Sequence, residues 1–121
     1  RKGSPHPTGN PSVLNRERLK LVFGDDTEYM HEFLRSFLDI CPGYMDDIRA
    51  AVEVGDAEKL ATKTHRLHSS LESFQADAAC EVAAYLEKIA RAGELESVPE
   101  VMKDLEAEID RLKRVLSREI S

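Results

Sequence analysis

Beyond residue 12, apolar side chains return every three or four positions along almost the whole chain, and no segment alternates apolar and polar residues for the length of a strand. A period near 3.6 belongs to a helix with one face turned to a core, so the chain is predicted to be all-α. Glycine and proline punctuate the pattern. Asn15 is placed to cap a short first helix bearing Leu19, Val22 and Phe23, which stops near Gly24. The acidic pair Asp25 and Asp26 precedes a second helix whose apolar members are Tyr29, Met30, Phe33, Phe37, Leu38, Ile40 and Cys41. Pro42 and Gly43 interrupt it, yet Tyr44, Met45, Ile48 and Val52 resume the same period, which predicts one kinked helix ending at Gly55. Asp56 caps a third helix running to about Phe74. A fourth runs from about Ala76 to Ala92 with Ala79, Val82, Ala83, Leu86 and Ile89 inward. Ser97 and Pro99 open a last helix with the stripe Met102, Leu105, Ile109, Leu112 and Leu116. The connections at Gly55, Gln75 and Gly93 are short, which forces neighbours to run antiparallel. The expected architecture is an up-and-down antiparallel four-helix bundle with a short extra N-terminal helix.

At 121 residues the chain is one domain, expected over residues 13–121. Residues 1–12, rich in proline, glycine and serine, are expected to be a flexible linker or the remnant of excision from something longer. The 17 basic and 23 acidic residues give a net charge of −6 that is spread along the chain, which disfavours nucleic acid as a partner. Cys41 and Cys80 lack CxxC spacing, so neither a zinc ribbon nor a thioredoxin-like motif is suggested, and a reducing cytoplasm is expected. No apolar run approaches the roughly 20 residues needed to cross a bilayer, so no direct membrane contact is expected. Tethering through a membrane-bound parent chain stays open.

One residue stands out against this scaffold. On the third helix, Leu60, Thr64, Leu67, Leu71 and Phe74 fall in one band, and at 100° per residue His65 points roughly 130° from its centre, toward water. The surrounding segment reads THRLHSSLESFQADA. It resembles the signature of histidine phosphotransfer (HPt) domains of multistep phosphorelays, a helix bearing His-x-Leu-Lys-Gly-Ser followed by a hydrophobic residue and a glycine. His65 falls on the phosphoacceptor, Leu67 on the core leucine, Ser70 on the small serine and Phe74 on the hydrophobic position. The upstream order is also similar: an acidic helix start, a Phe-Leu pair, a mid-helix proline and Gly-Asp before the histidine helix. The resemblance covers roughly residues 13 to 118.

The resemblance implies that His65 accepts a phosphoryl group from a receiver-domain aspartate and passes it to another receiver. A neutral imidazole is nucleophilic at cell pH, and its P–N bond is labile enough for transfer in either direction. Alignment and charge stabilisation do most of the catalytic work in phosphoryl transfer. The implied partners are response-regulator receiver domains, with membership of a hybrid sensor kinase left open; Mg2+ is expected on the receiver and no cofactor in this chain. There is no Gly-rich phosphate loop, so the chain is expected to be a phosphocarrier rather than a stand-alone kinase. His68, Ser69, Gln75 and Glu72 are expected to contact the phosphate or the partner. Three of them depart from the family: His68 stands in place of lysine, Ser69 in place of glycine and Gln75 in place of a second glycine. His68 supplies a cation only when protonated, whereas lysine is always charged. Ser69 is small enough to keep a partner's close approach.

Other readings compete. A degenerate domain of this kind would dock receivers without passing phosphate. His65, His68 and Glu72, at helical spacings of three and four, form a possible surface metal set, although no metal ligand is assigned. Glu28 and His31 make a Glu-x-x-His pair, but a di-iron bundle needs a second one and none exists. The stripe from Val98 to Leu116 could serve as a dimer seam, though it is simpler as the inner face of the last helix.

Overall fold

The computed structural model describes residues 13–73 and 76–120, and every regular element among them is helical. Helix α1 spans Arg16–Phe23, α2 Thr27–Val54, α3 Ala57–Ser73, α4 Asp77–Arg91 and α5 Val98–Ile120, with a 3-10 turn at Leu95–Ser97 leading into α5. The expected linker at residues 1–12 lies outside the described residues, as do Phe74 and Gln75.

Short polar side chains start the first three helices. The carboxamide of Asn15 accepts from the Arg18 N–H at 3.1 Å, and Asp26 and Asp56 accept from the Tyr29 and Lys59 N–H groups, each at 3.0 Å. Gly55, at φ +70°, closes α2 in a Schellman arrangement: its N–H reaches the Val52 carbonyl at 3.1 Å and the Asp56 N–H reaches that of Ala51 at 3.2 Å. Asp56 therefore ends one helix with its backbone and begins the next with its side chain. The α2–α3 connection needs only two residues as a result.

Helix α2 continues through Pro42. The missing N–H removes one bond to the Leu38 carbonyl, but Pro42 sits on the exposed side while Cys41, Met45 and Ile48 are buried along the inner stripe. Burial on one face thus carries the helix past the defect on the other. The stripe differs from the expected one in detail. Tyr29, Ile40 and, in α1, Val22 face solvent, whereas Leu34, absent from the expected set, is fully buried. The buried series Leu34, Phe37, Cys41, Met45 and Ile48 keeps the spacing 3, 4, 4, 3, and Ile40 lies one residue off it.

The helices pack in a ring, α2 on α3, α3 on α4, α4 on α5 and α5 back on α2, with α3 and α4 the most extensive pair. Ser70 meets Tyr44 at 3.3 Å and Lys63 meets Asp47 at 3.9 Å, a crossing order that makes α2 and α3 antiparallel. The core collects Leu60, Leu67 and Leu71 of α3, Val82, Leu86 and Ile89 of α4, and Leu105, Ile109, Leu112 and Leu116 of α5. Helix α1 is strapped across one end: Arg16 pairs with Glu119 at 2.7 Å, Asn15 donates to Asp77 at 3.2 Å, and the Phe23 ring packs 5.4 Å from that of Phe33. Among the described residues no helix is long and apolar enough to cross a membrane.

The α2 register is tested by two substitutions of the same side chain. Ile48→Ala, at a fully buried site, is expected to lower unfolding free energy by about 2–5 kcal/mol. Ile40→Ala, about half exposed, is expected to change it by no more than about 0.5 kcal/mol, both read from urea midpoints.

Candidate functional site

On α3 the inner positions Leu60, Ala61, Thr64, Leu67 and Leu71 are buried, so the residue after Thr64 must face outward. His65 does: its side chain is 57% exposed. His68, three residues on, stands on the same side but leans inward to 21% exposure, toward the seam with α4. The two imidazole rings stand edge to face, 6.2 Å apart.

What fills the seam is a residue that the sequence gives little reason to single out. Glu87 follows Leu86 on α4, at the rim of the buried stripe, and only 12% of its side chain is exposed. One carboxylate oxygen, Oε2, accepts from Arg91 Nε at 3.1 Å and Nη2 at 2.7 Å, and lies 3.0 Å from His65 Nδ1. The other, Oε1, lies 3.4 Å from His68 Nδ1. An ionised carboxylate can only accept, so both imidazoles present a protonated Nδ1 to it. When the His65 ring is neutral, its one lone pair is therefore at Nε2. Partial burial pushes the Glu87 carboxyl up, but hydrogen bonds from Arg91, His65 and His68, with the pull of a protonated His65, outweigh it and hold the group below the ordinary carboxylate value. The same contacts favour the ionised carboxylate under the rings.

The remaining expected residues are distributed around this centre. Ser69 is exposed one turn beyond His65, and its carbonyl accepts from the Ser73 hydroxyl at 3.1 Å. Ser70 donates to the Tyr44 hydroxyl at 3.3 Å and so ties α3 to α2. Glu72 is on the far side of His68, with Oε2 at 3.9 Å from Nε2, and joins a second cluster with His68 and Cys80. His65 is instead grouped with His68 and Glu87, so the set built from His65, His68 and Glu72 divides in two at His68. Burial, followed by Glu72, Asp77 and Glu81, pushes the Cys80 thiol up to about 12, which leaves it protonated and a poor nucleophile. Gln75 falls outside the described residues. A shallow groove beside His68 is lined by Arg18 of α1 and by Asp77, Cys80, Glu81 and Ala84 of α4. Arg18 thus brings a permanent cation to the neighbourhood that the sequence pattern leaves without a lysine.

A family model described as Hpt domain matches residues 32–115. The fold is also that of a solved structure, the crystal structure of histidine-containing phosphotransfer protein B (HptB) from Pseudomonas aeruginosa PAO1, with a TM-score of 0.83 and 21% identity over 89% of this chain and 94% of that one. Comparison with curated proteins returns no match.

The lowered carboxyl value of Glu87 has a pH signature. A group whose folded value is depressed stabilises the fold fully above its unfolded value, about 4.3, and loses that contribution as pH falls through the folded value. Glu87→Gln is therefore expected to unfold more readily than the parent at pH 7, and the gap between their urea midpoints is expected to shrink below about pH 4. A gap that holds constant down to acid pH would contradict the ionised network.

Proposed function

The chain belongs to the Hpt domain family, the histidine phosphotransfer modules of two-component phosphorelays, and from that premise we propose that His65 is its phosphoacceptor. The observation that carries this reading is the Glu87 contact to His65 Nδ1, which leaves Nε2 as the nucleophile on an exposed ring. In transfer to the domain, the Nε2 lone pair attacks the phosphorus of a receiver's aspartyl phosphate. The N–P bond forms as the acyl P–O bond breaks, and the aspartate leaves as carboxylate with the bonding pair. The imidazole keeps its Nδ1 proton and becomes cationic, so Glu87 faces a growing positive charge across 3.0 Å. The same positive charge makes a neutral imidazole the leaving group on the return step, which suits transfer to a second receiver. Glu87 acts through His65 and is a positioning residue, with Arg91 holding its carboxylate in place. The divalent ion belongs to the receiver, where it offsets phosphoryl charge.

Docking is proposed on the rim formed with α1. Arg18, Leu21 and Val22 share one face of that helix by their spacing, and Arg18 lines the groove that contains His68. Leu21 is 84% and Val22 56% exposed, so this face offers a partner apolar surface next to a cation. His68, Ser69, Glu72 and Gln75 are proposed to border the incoming receiver. Ser69 keeps that approach open, and His68, when protonated, supplies positive charge beside the phosphoryl oxygens.

Incubation with a receiver charged by acetyl phosphate is expected to place acid-labile label on the native chain and none on His65→Gln. Glu87→Gln removes a charge-assisted hydrogen bond worth about 1.5–3 kcal/mol, so transfer is expected to slow by roughly ten- to a hundredfold. Binding of the receiver is expected to survive that change. A receiver that binds native protein yet never labels it would establish docking without transfer.

A further inference from the structure

We propose that His65, His68 and Glu87 form a zinc-binding site, and that an ion bound there silences His65 by exchanging its tautomer. One ligand atom from each residue lies within 4.8 Å of the others, before any side chain moves. Two imidazole nitrogens and one carboxylate oxygen are the donor set of an open zinc site, with a fourth position left to water. Helix α3 supplies both nitrogens from a single face and α4 supplies the oxygen, so the packed seam prearranges ligands from two elements. The contacts to Glu87 run to separate oxygens, Oε2 at 3.0 Å from His65 Nδ1 and Oε1 at 3.4 Å from His68 Nδ1, so the carboxylate already lies between the two rings at separations near the roughly 3.3 Å between neighbouring ligands of a tetrahedral ion with bonds of about 2.0–2.1 Å. Arg91, 60% exposed and attached one turn from Glu87, can swing into solvent to admit the ion.

Protons decide the consequence, which rests on the reading of His65 as phosphoacceptor. A neutral imidazole has one N–H and one lone pair. In the metal-free site the proton is on Nδ1, directed at Glu87, and the lone pair is on Nε2. Zinc takes a lone pair at Nδ1, so the Nδ1 proton departs to water and Nε2 takes one up. The ring stays neutral overall but its outward nitrogen has become an N–H, with nothing to donate to phosphorus. Metal occupancy and phosphoryl acceptance therefore exclude each other. The Mg2+ needed by a receiver does not compete, because that hard ion prefers an oxygen shell. The neighbouring cluster of His68, Glu72 and Cys80 is the weaker host, since its half-buried thiol stands beside three carboxylates and must lose a proton to bind.

Titration of the 121-residue chain with zinc chloride, followed by calorimetry, is expected to show one equivalent bound at sub-millimolar concentration. Outer-shell changes at zinc sites already cost about 10–100-fold in affinity, so His65→Gln, His68→Gln and Glu87→Gln are each expected to lose at least that much. Glu72→Gln and Cys80→Ser are expected to keep native affinity. Long-range proton–nitrogen spectra of the imidazoles are expected to show the His65 proton moving from Nδ1 to Nε2 as zinc is added. Zinc that leaves the His65 ring unchanged, or whose binding survives His65→Gln or is abolished by Cys80→Ser, overturns the site. Neither measurement uses a receiver: labelling in zinc-free buffer tests the phosphoacceptor separately, and a chain that binds zinc through these residues but never labels would retain the site and lose the carrier.

Discussion

The contact between α3 and α4 is the one on which the site depends. The buried face of α4 is built largely of alanines, Ala78, Ala79, Ala83 and Ala90, with Ala61 opposite on α3, and small side chains allow two helices to approach closely. Close approach brings the rim of α4 under the outer face of α3. Glu87 is then near enough to reach two imidazoles at once, although none of the three residues belongs to the core. Packing that contains no chemistry thus determines the chemistry at its edge. A bulkier face on α4 would separate the carboxylate from His65 while leaving both helices intact.

The carboxylate also explains how a chain without the usual lysine can place charge around the histidine. Arg91 and Glu87 form a pair anchored within one turn of α4, and the pair presents its negative end to the rings. His68 meets the second oxygen of the same group, so the two histidines share this counter-charge, and Glu72 stands 3.9 Å from the other nitrogen of His68. Cationic character on one ring is felt by the other through Glu87. Positive charge that does not depend on this shared group comes from α1, where Arg18 borders the groove from outside the four-helix ring.

Much of the scaffold could be read from the residues alone, because its signals are local. Asn15, Asp26 and Asp56 each act on an N–H three positions away, and Gly55 and Gly93 end helices through their own backbone angles. The stripe of α5 was legible because its polar and apolar residues are cleanly separated. Helix α2 was harder. Its 28 residues carry apolar side chains around more than half the circumference, so Ile40 and Tyr29 match the period nearly as well as Leu34 does. His65 could be placed outward from the band of leucines on its own helix. Glu87 could not be found that way, since its partners are 19 and 22 residues distant and their meeting depends on the register in which α3 and α4 pack. In one dimension it is an ordinary acidic residue beside a leucine.

The strap formed by α1 has a topological consequence. Arg16 and Glu119 touch, so the first described helix begins and the last one ends at the same corner of the molecule. A covalent splice of a few residues between them would close the backbone into a loop without moving a helix. The bundle is in that sense a ring that happens to be cut at one corner, and it could be spliced into a host polypeptide or reopened at another turn with the His65–Glu87 seam undisturbed.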